Sequence, residues 1–496
     1  MSPEKTGPAA VIVLAAGAGT RMKSRTPKIL HEIGGRSLVG HALHAARTIR
    51  PQELALVVRH ERDLVAAHIG AVDPAALIVD QDEVPGTGRA VEAALEALDV
   101  LHPQGQLSGT VVVTYGDVPL LTGGLLAELV ASHEAGHNAV TVLTAVLSDA
   151  TGYGRILRAA NGTVTGIREH KDATDAERDI REVNSGIYAF DAAVLRDCLG
   201  QVTADNAQGE KYLTDVLALA RAAGGRVAAV VTEDRWQVEG ANDRVQLSAL
   251  GAELNRRAVE AWMRAGVTVV DPATTWIDAT VTLDEDVRLL PNTQLHGTTT
   301  VARDAVVGPD TTLTDVHVGE GAKVIRTHGS GSTIGAKASV GPFTYLRPGT
   351  VLGETGKIGA FYETKNVTIG RGSKLSHLGY AGDAEIGEDT NIGCGNITAN
   401  YDGEKKHRTV IGSGVRTGSN TVFVAPVQVG DGAYSGAGAV IRRDVPPGAL
   451  VLSLAQQQNT EGWVLANRPD SVSASLAAAA GATTTSSSTP ASTEEG

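Results

Sequence analysis

A glycine-rich, basic loop follows the first apolar run of the chain, in the segment VIVLAAGAGTRMKSRTPK from Val11 to Lys28. Gly17 and Gly19 allow bare backbone N–H groups to approach an anion, and Arg21 and Lys28 add positive charge for phosphate oxygens. The loop has neither the third glycine of the dinucleotide-binding fingerprint nor the Gly-Lys-Ser/Thr ending of a P-loop. The pattern therefore predicts a phosphate-binding site that belongs to neither of those two classes.

Two simpler interpretations of the same segment stay open at this stage. The glycines are also compatible with an ordinary turn after a strand, and the stretch from Ala9 to Ala18 has the length of the hydrophobic region of a secretory signal. The basic residues that follow at once disfavour the signal, as does a chain with only two cysteines.

The composition is that of an ordinary multidomain protein. The 496 residues allow roughly two to four domains, and hydrophobic residues at 42% suffice for large cores. The net charge of −13 argues against a nucleic-acid-binding surface. Cys198 and Cys394 lie far apart, and no run of about 18 apolar residues could span a bilayer. We therefore expect a reducing, cytoplasmic location, with neither nucleic acid nor membrane as a partner.

The first 234 residues alternate short apolar runs with amphipathic patterns, which predicts an α/β domain with a mainly parallel sheet. In such sheets ligands bind beyond the carboxyl ends of the strands, so the glycine loop and Tyr115-Gly116-Asp117 should lie side by side. The predicted strands are Ala10–Ala16, Leu54–Val58 and Val111–Tyr115, and the predicted helices are Leu38–Ile49, Ala90–Leu98 and Leu125–His133.

A different period begins near Ile277, where an aliphatic residue recurs at every sixth position. A period of six belongs to neither a helix nor an ordinary strand, but it is the signature of a parallel β-helix of hexapeptide repeats. The turn-rich, basic segment Asn400–Arg408 interrupts the period and is predicted to project as a loop. The aliphatic series comprises Ile277, Leu283, Leu289, Leu295, Val301, Val307 and Leu313, then Ile334, Val340, Leu346, Leu352 and Ile358.

These patterns divide the chain into four predicted parts. The α/β domain spans residues 8–240, and an amphipathic pattern from Asn242 to Ala265 predicts a linker helix over residues 241–266. The β-helix spans residues 267–463. Ser, Ala and Thr dominate from Ser471 onward, and residues 464–496 are expected to be a disordered tail because few large apolar groups are present.

The order of the motifs resembles that of one bacterial family, the bifunctional N-acetylglucosamine-1-phosphate uridylyltransferases and glucosamine-1-phosphate N-acetyltransferases. The resemblance covers about Val11 to Trp463. It rests on LAAGxGTRM followed by PK, GTG at Gly86–Gly88, YGD at Tyr115–Asp117, GYGRI at Gly152–Ile156, NSGIYAF at Asn184–Phe190, and the later LRPG, HLGY, NYDG and APV.

The resemblance implies a Rossmann-like nucleotidyltransferase domain and a left-handed parallel β-helix in a homotrimer. It also implies two reactions. The first is acetyl transfer from acetyl-coenzyme A to glucosamine-1-phosphate. The second is Mg²⁺-dependent uridylyl transfer from UTP to N-acetylglucosamine-1-phosphate, which releases pyrophosphate. Their product would feed peptidoglycan and cell-envelope precursors.

For the first domain the resemblance implies a set of nucleotide, sugar and metal contacts. Lys28 and Arg21 would act on the phosphates of UTP, and Asp117 and Asn242 would coordinate Mg²⁺. A few protein oxygens together with phosphate oxygens suit this ion. The other residues implied to bind UTP or the UDP-sugar are Leu14, Ala15, Ala16, Gly17, Gln81, Gly86, Thr87, Tyr115 and Gly116, with Gly154, Glu169 and Asn184 on the sugar phosphate.

For the β-helix the resemblance implies a general base, His377, because the amine of glucosamine must lose a proton and an imidazole can accept one near neutral pH. The residues implied to bind glucosamine-1-phosphate are Arg347, Lys365, Tyr380 and Asn391, and those implied to bind acetyl-coenzyme A are Cys394, Asn400, Tyr401, Ser419 and Ala437.

Two positions depart from the family pattern. Cys394 stands where a small alanine is common, and we expect it to be a buried small apolar side chain rather than an acyl-accepting nucleophile. Leu454 stands where an arginine can contact coenzyme A, a role that Arg442 or Arg443 could take over. Trp463 would either cover the cofactor or cap the prism.

The main alternative is a single-activity sugar-phosphate nucleotidyltransferase whose β-helix serves only assembly or regulation. His377 and Lys365 argue against it, since neither is needed by a scaffold. A purely structural β-helix protein would leave the motifs and the basic loop unexplained.

Overall fold

The structure, a computed structural model, describes residues 7–102, 105–206, 208–453 and 457–483. Its first domain is a twisted sheet with helices on both faces. The strands are β1 Ala10–Leu14, β2 Glu32–Ile33, β3 Arg36–Ser37, β4 Glu53–Val58, β5 Leu77–Asp80, β6 Thr110–Tyr115, β7 Val140–Val146, β8 Arg155–Arg158, β9 Val164–Arg168, β10 Glu182–Asp191 and β11 Val227–Thr232. The helices are α1 Leu38–Thr48, α2 Arg62–Val72, α3 Thr87–Val100, α4 Gly123–Ala135, α5 Asp175–Arg178, α6 Ala192–Leu199 and α7 Asp215–Ala222, with 3₁₀ turns at Thr20–Met22, Lys28–Leu30 and Arg235–Gln237.

The main sheet has the order β11-β7-β10-β6-β1-β4-β5, with the hairpin β8–β9 attached to β10. Strands β1, β4, β5 and β6 are parallel, and β10 runs antiparallel to both of its neighbours. Leu14 at the end of β1 pairs with Tyr115 at the end of β6. This register places the glycine loop beside Asp117, and the predicted α/β fold is confirmed.

The second domain is a parallel β-helix, and the six-residue period coincides with its interior. Every aliphatic residue of the predicted series is buried. Residues 18 positions apart pair in the first coils, as Ile277 does with Leu295 and Leu295 with Leu313. Three flat faces of six residues each therefore make one coil, and the aliphatic side chains stack along its axis.

Among the described residues of the β-helix there are 23 short strands. They are β12 Thr268–Val269, β13 Trp276–Ile277, β14 Thr282–Leu283, β15 Arg288–Leu289, β16 Thr293–His296, β17 Thr300–Val301, β18 Val306–Val307, β19 Thr311–Val318, β20 Lys323–Val324, β21 Thr327–Ile334, β22 Ser339–Val340, β23 Thr344–Leu346, β24 Thr350–Leu352, β25 Lys357–Ile369, β26 Lys374–Ile386, β27 Asn391–Ile392, β28 Ile397–Ala399, β29 Thr409–Ile411, β30 Val422–Val424, β31 Val427–Val429, β32 Tyr434–Ser435, β33 Val440–Ile441 and β34 Leu450–Val451. A 3₁₀ turn at Pro272–Thr274 precedes β13.

The basic segment interrupts the coils as predicted. Ala384 pairs with Thr409 across the interruption. The loop closes at its base, where the backbone N–H of His407 donates to the carbonyl of Asn400 over 2.8 Å. Tyr401 and Lys406 form an antiparallel bridge within it. The loop thus projects from the prism on a short ribbon.

Helix α8 (Arg244–Arg264) connects the domains. Its buried Asn255 completes the edge of the first coil: the amide donates to the carbonyl of Thr275 over 2.8 Å and accepts from the N–H of Ile277 over 3.0 Å. The turn of the hairpin β2–β3 touches the same coil, because the carbonyl of Gly34 accepts from the N–H of Ala279 over 2.9 Å. Both contacts fix the α/β domain against the β-helix.

Part of the predicted disordered tail lies within the described residues beyond the last coil. Two short helices, α9 (Trp463–Asn467) and α10 (Val472–Ala479), lie in the described part of it. The side chain of Ser471 caps α10 by accepting from the N–H of Ala474, and its alanines have high helix propensity. Leu454 and residues 484–496 lie outside the described residues. In the part of the chain that the structure describes, no helix is long and apolar enough to cross a membrane.

Candidate active sites

A cleft of about 440 Å³ opens at the carboxyl ends of β1 and β6. It gathers residues from distant parts of the chain, which the parallel strands bring to one edge of the sheet. Eleven of the residues implied to bind nucleotide or metal line it: Leu14, Ala15, Ala16, Gly17, Lys28, Gln81, Gly86, Thr87, Tyr115, Asp117 and Asn242.

The two glycines of the loop have different roles. Gly19 has a φ of +59°, and a Cβ there would lie 2.5 Å from the Cβ of Lys28. The fold itself therefore requires glycine at this position. A Cβ on Gly17 would meet no protein atom within 4 Å. Space remains open beside Gly17 on the cleft side, where a ligand could approach the backbone.

The positively charged side chain of Lys28 lies between Asp117 and Asn242. The ammonium of Lys28 contacts the Asp117 carboxylate, and its Nζ lies 3.4 Å from Oδ1 of Asn242. The N–H of Ala241 donates to the carbonyl of Asp117 over 3.0 Å, which holds the two oxygen donors together.

The donor set fits Mg²⁺. A carboxylate and an amide oxygen already face a positive charge, and Mg²⁺ prefers a few such oxygens supplemented by phosphate and water. Among the described residues there is no group of three or more His, Cys, Asp or Glu side chains that could hold a metal ion. A two-residue site completed by the substrate's own oxygens agrees with both observations.

The GTG loop is held by a segment that the sequence analysis did not single out. Gly86 has a φ of +120°, and a Cβ there would lie 2.3 Å from the carbonyl oxygen of Lys211. The N–H of Gly88 donates to that carbonyl over 2.8 Å, and the Lys211 ammonium pairs with Glu92 at 3.0 Å. Side-chain amide N–H groups of Gln81 donate to the carbonyl of Gly86 over 3.2 Å. No motif marks Lys211, so only the structure reveals it.

Gly154, Glu169 and Asn184 lie next to one another beside the lining of this cleft. The N–H of Asn184 donates to the carbonyl of Gly154 over 2.8 Å, and a Cβ on Gly154 would lie 3.4 Å from Oε1 of Glu169. Burial raises the pKa of Tyr115, with further contributions from the charges of Asp117 and Glu169. Tyr115 therefore lies near both carboxylates, Asp117 and Glu169.

Burial also raises the pKa of Glu169, although a hydrogen bond from Thr214 opposes the shift.

Two more of the residues implied by the family do not line the cleft. Gly116 is buried behind its floor, where its N–H donates to the carbonyl of Leu14 over 2.9 Å. Arg21 is exposed. Arg59 and His60, the pair that directly follows β4, line the cleft instead. The only sequence signal for them was their position at the carboxyl end of a parallel strand.

On the β-helix, positive charges crowd together on one face. Arg347 pairs with Glu363 at 2.9 Å. Lys406, which the sequence analysis included only in a basic loop, reaches Lys365, and this contact lowers the pKa of Lys365. Two adjacent ammonium groups beside an arginine form a site for a dianion such as a phosphate monoester.

Tyr380 and Asn400 flank these cations. Strand β26 carries Tyr380, which pairs with Glu363 on one side and Ile397 on the other. The buried Asn400 donates from Nδ2 to the Asp383 carboxylate over 2.5 Å and lies 3.5 Å from the Tyr380 hydroxyl. Tyr401 is exposed in the projecting loop.

The structure does not bring Asn391 to this face. Asn391 pairs with Lys374 and Arg416, in a column on a different face from Tyr380. His377 is exposed at the edge between the two faces, and its carbonyl accepts from the N–H of Gly395 over 3.3 Å. Within one chain the implied sugar ligands are therefore divided between two faces.

Cys394, Ser419 and Ala437 follow His377 along the same edge, one coil after another. Backbone hydrogen bonds connect these successive coils. The N–H of Asn420 donates to the carbonyl of Cys394 over 2.7 Å, and the N–H of Gly438 donates to the carbonyl of Ser419 over 2.8 Å. Cys394 is exposed, contrary to the expectation of a buried side chain. It lies at a corner, whereas the interior is filled by the residues of the six-residue series.

A row of apolar side chains is exposed at the corner beside His377. The Phe343 and Phe361 rings stack with centroids 5.3 Å apart, and Leu378 follows on the next coil. The Arg326 guanidinium lies 5.5 Å from the Phe343 ring centroid. Trp463 is half-exposed, with the Arg468 guanidinium 5.6 Å from its ring centroid.

Comparisons with known proteins cover both domains. A model of the MobA-like NTP transferase domain matches residues 11–182. The chain is 85% identical to the bifunctional protein GlmU of Pseudarthrobacter chlorophenolicus over 496 residues, which is 100% of each chain. It is 87% identical to the protein of that name from Paenarthrobacter aurescens over 477 residues, 96% of this chain and 95% of the relative. The protein of that name from Micrococcus luteus is 67% identical over 490 residues, 96% of this chain and 98% of the relative.

Proposed function

The chain belongs to the GlmU family of bifunctional enzymes, and we propose that its two reactions take place at the two sites described above. The β-helix acetylates glucosamine-1-phosphate with acetyl-coenzyme A. The α/β domain then transfers uridylyl from UTP to the N-acetylglucosamine-1-phosphate produced. The resulting UDP-N-acetylglucosamine serves cell-wall synthesis.

At the α/β cleft the chemistry needs no protein nucleophile. The phosphate of N-acetylglucosamine-1-phosphate attacks the α-phosphorus of UTP in line, the new P–O bond forms, and pyrophosphate leaves. Catalysis is then positioning and charge stabilisation. Lys28 and the open backbone beside Gly17 hold the phosphates, Gln81 and the GTG loop read the uracil, and Glu169 and Asn184 orient the sugar.

Asp117 and Asn242 would hold Mg²⁺, and the ion would supply positive charge to neutralise the charge of the phosphates during transfer. The Lys28 ammonium that now contacts Asp117 would then be free to turn to the phosphates. Arg21 would approach the phosphates from the exposed side of the loop.

At the β-helix site Arg347, Lys365 and Lys406 hold the sugar phosphate. His377 removes a proton from the amine, the amine nitrogen attacks the thioester carbon, and the C–S bond breaks to release coenzyme A as the thiol. Coenzyme A lies along the edge formed by Cys394, Ser419 and Ala437. Arg442 and Arg443 are candidates for its phosphates.

The division of the sugar ligands between two faces supports a homotrimer. Asn391 of one copy would meet the face of a second copy that carries Lys365 and Tyr380, and Phe343, Phe361 and Leu378 would be covered in the same contact. Exposed apolar rows of this kind mark interfaces between proteins. We further propose the domain bounds 8–240, 241–266 and 267–463 and a cytoplasmic location.

The observation that carries the proposal is the adjacency of Lys365 and Lys406 on the β-helix, outside its apolar interior. It favours two activities over a nucleotidyltransferase with an inert β-helix. Supplying glucosamine-1-phosphate and acetyl-coenzyme A without UTP tests this, because only the two-activity enzyme releases free coenzyme A. Absence of coenzyme A release, beside normal UDP-sugar synthesis from N-acetylglucosamine-1-phosphate, would support the single-activity alternative.

A further inference from the structure

Asp383 lies inside the β-helix site without being one of its implied ligands. Its Oδ1 accepts from Nδ2 of Asn366 over 2.8 Å, and its Oδ2 accepts from Nδ2 of Asn400 over 2.5 Å. Burial acts to raise the pKa of Asp383, but these two hydrogen bonds and the charges of Lys365 and Lys406 outweigh it and hold that pKa below its ordinary value. The side chain is therefore an ionised carboxylate that can only accept hydrogen bonds.

This carboxylate determines which way the Asn400 amide points. Asn400 is only 8% exposed, and its NH₂ group faces both Asp383 and the Tyr380 hydroxyl. An amide has its NH₂ on one side and its oxygen on the other, so Oδ1 is turned away from Asp383. No donor in the described part of the chain contacts that oxygen.

We propose that Asp383 is a positioning residue for acetyl transfer: by fixing the Asn400 amide, it presents Asn400 Oδ1 as an acceptor to an N–H group of a substrate. The inference rests on the proposed acetyltransferase function. The N–H belongs either to the attacking amine of the sugar or to an amide of the pantetheine arm, since both offer the same donor.

Removing the charge of Asp383 has two effects of opposite sign. The Asn400 amide loses its fixed orientation, which slows the reaction. Lys365 and Lys406 at the same time lose a competing anion, which leaves them more attractive to the phosphate of the sugar. A carboxylate that only stabilises the fold would not combine a slower reaction with an equal or stronger attraction for the sugar phosphate.

The test is Asp383→Asn in the full-length protein, with steady-state acetyl transfer measured for both substrates. We expect kcat to fall roughly 10- to 100-fold, the usual effect of losing a hydrogen bond to a charged group, while the KM for glucosamine-1-phosphate stays constant or falls. A constant KM for acetyl-coenzyme A would indicate that Oδ1 of Asn400 faces the amine of the sugar. A raised KM for acetyl-coenzyme A would indicate that this oxygen faces the pantetheine arm. Uridylyl transfer by the same sample reports that the protein is folded.

Asp402→Asn is the matched control. Asp402 caps the neighbouring loop by accepting from the N–H groups of Glu404 and Lys405 over 2.8 and 2.7 Å. The other carboxylate oxygen, Oδ2, lies 2.6 Å from Nε2 of His407. Asn keeps an oxygen for the cap but loses this charged contact, which loosens the loop that carries Lys406 and should raise the KM for glucosamine-1-phosphate.

A second variant exchanges the partners. With Asp383→Asn and Asn400→Asp together, the hydrogen-bonded pair survives and position 400 still presents an oxygen, so part of the lost kcat should return. The proposal is overturned if Asp383→Asn stays within twofold of the wild-type kcat, if it raises the KM for glucosamine-1-phosphate as Asp402→Asn does, or if the exchange gives no recovery. A wild-type protein without acetyl transfer would overturn this proposal and the proposed function together.

Discussion

At the scale of single residues, Lys28, Asp117 and Asn242 form the charged centre of the nucleotide cleft. A carboxylate that holds a cation against phosphates stabilises the charge that develops as pyrophosphate leaves. We predict that Asp117→Ala lowers uridylyl transfer at least about a hundredfold and leaves acetyl transfer unchanged. Chelation of Mg²⁺ should have the same selective effect. Pyrophosphate release measures the first activity and free thiol the second; a variant that makes UDP-sugar at the wild-type rate would contradict the metal assignment.

His377 gives the corresponding prediction for the β-helix. His377→Ala should lower acetyl transfer by roughly 10²- to 10⁴-fold, the usual contribution of a positioned general base, without affecting uridylyl transfer. Because alkaline conditions supply more free amine, the deficit should shrink as the pH rises, whereas a structural histidine would give a deficit that does not vary with pH.

Cys394→Ala is the control for His377→Ala. The exposed thiol at the next corner is accessible to an acyl group, so a covalent route would collapse in this variant, while direct transfer to the amine would survive. Loss of acetyl transfer in Cys394→Ala, beside its retention in His377→Ala, would overturn the direct mechanism.

The sequence predicts some of these neighbours and not others for a physical reason. Gly17 and Asp117 were expected to be adjacent because both follow the carboxyl ends of parallel strands, a relation that any such sheet imposes. Lys406 and Asp383 meet Lys365 only through the lengths of individual coils and the path of one loop. No local pattern encodes those lengths.

At the scale of elements, the boundary between α8 and the first coil depends on one buried amide. Asn255 satisfies the carbonyl of Thr275 and the N–H of Ile277, which the first coil would otherwise leave unpaired. Asn255→Ala should lower the free energy of unfolding by about 1–3 kcal/mol, the cost of leaving buried backbone groups unsatisfied. Denaturant unfolding measures it, with the exposed Arg256→Ala as the control on the same helix. Equal free energies of unfolding for Asn255→Ala and the wild type would contradict the prediction and show that water replaces the amide at this edge.

The period of six identified the β-helix because each aliphatic side chain must point to the axis, and the buried residues follow that series. The same period does not state which face an outward residue occupies after a loop. Tyr380 and Asn391, which the resemblance assigns to one sugar, lie on different faces of the chain.

At the scale of the whole molecule, the proposed sugar ligands are divided between two faces, and the proposed trimer would bring them together. Phe361 is 60% exposed and stacks on Phe343 at the exposed corner. We predict that wild-type protein is a trimer, that Phe361→Asp is monomeric, and that this variant loses acetyl transfer while uridylyl transfer persists. Light scattering with both assays measures this; a monomeric variant that still acetylates would contradict the shared site.

The central claim is that one chain performs two consecutive transfers at two independent sites. It is tested most directly by mass detection of products when the wild type, Asp117→Ala and His377→Ala each receive glucosamine-1-phosphate, acetyl-coenzyme A, UTP and Mg²⁺. The wild type should form UDP-N-acetylglucosamine, and Asp117→Ala should stop at N-acetylglucosamine-1-phosphate. His377→Ala should make little of either product until N-acetylglucosamine-1-phosphate is added, and mixing the two variants should restore the full sequence. Failure of both activities in either single variant, or no product from the mixture, would contradict the account.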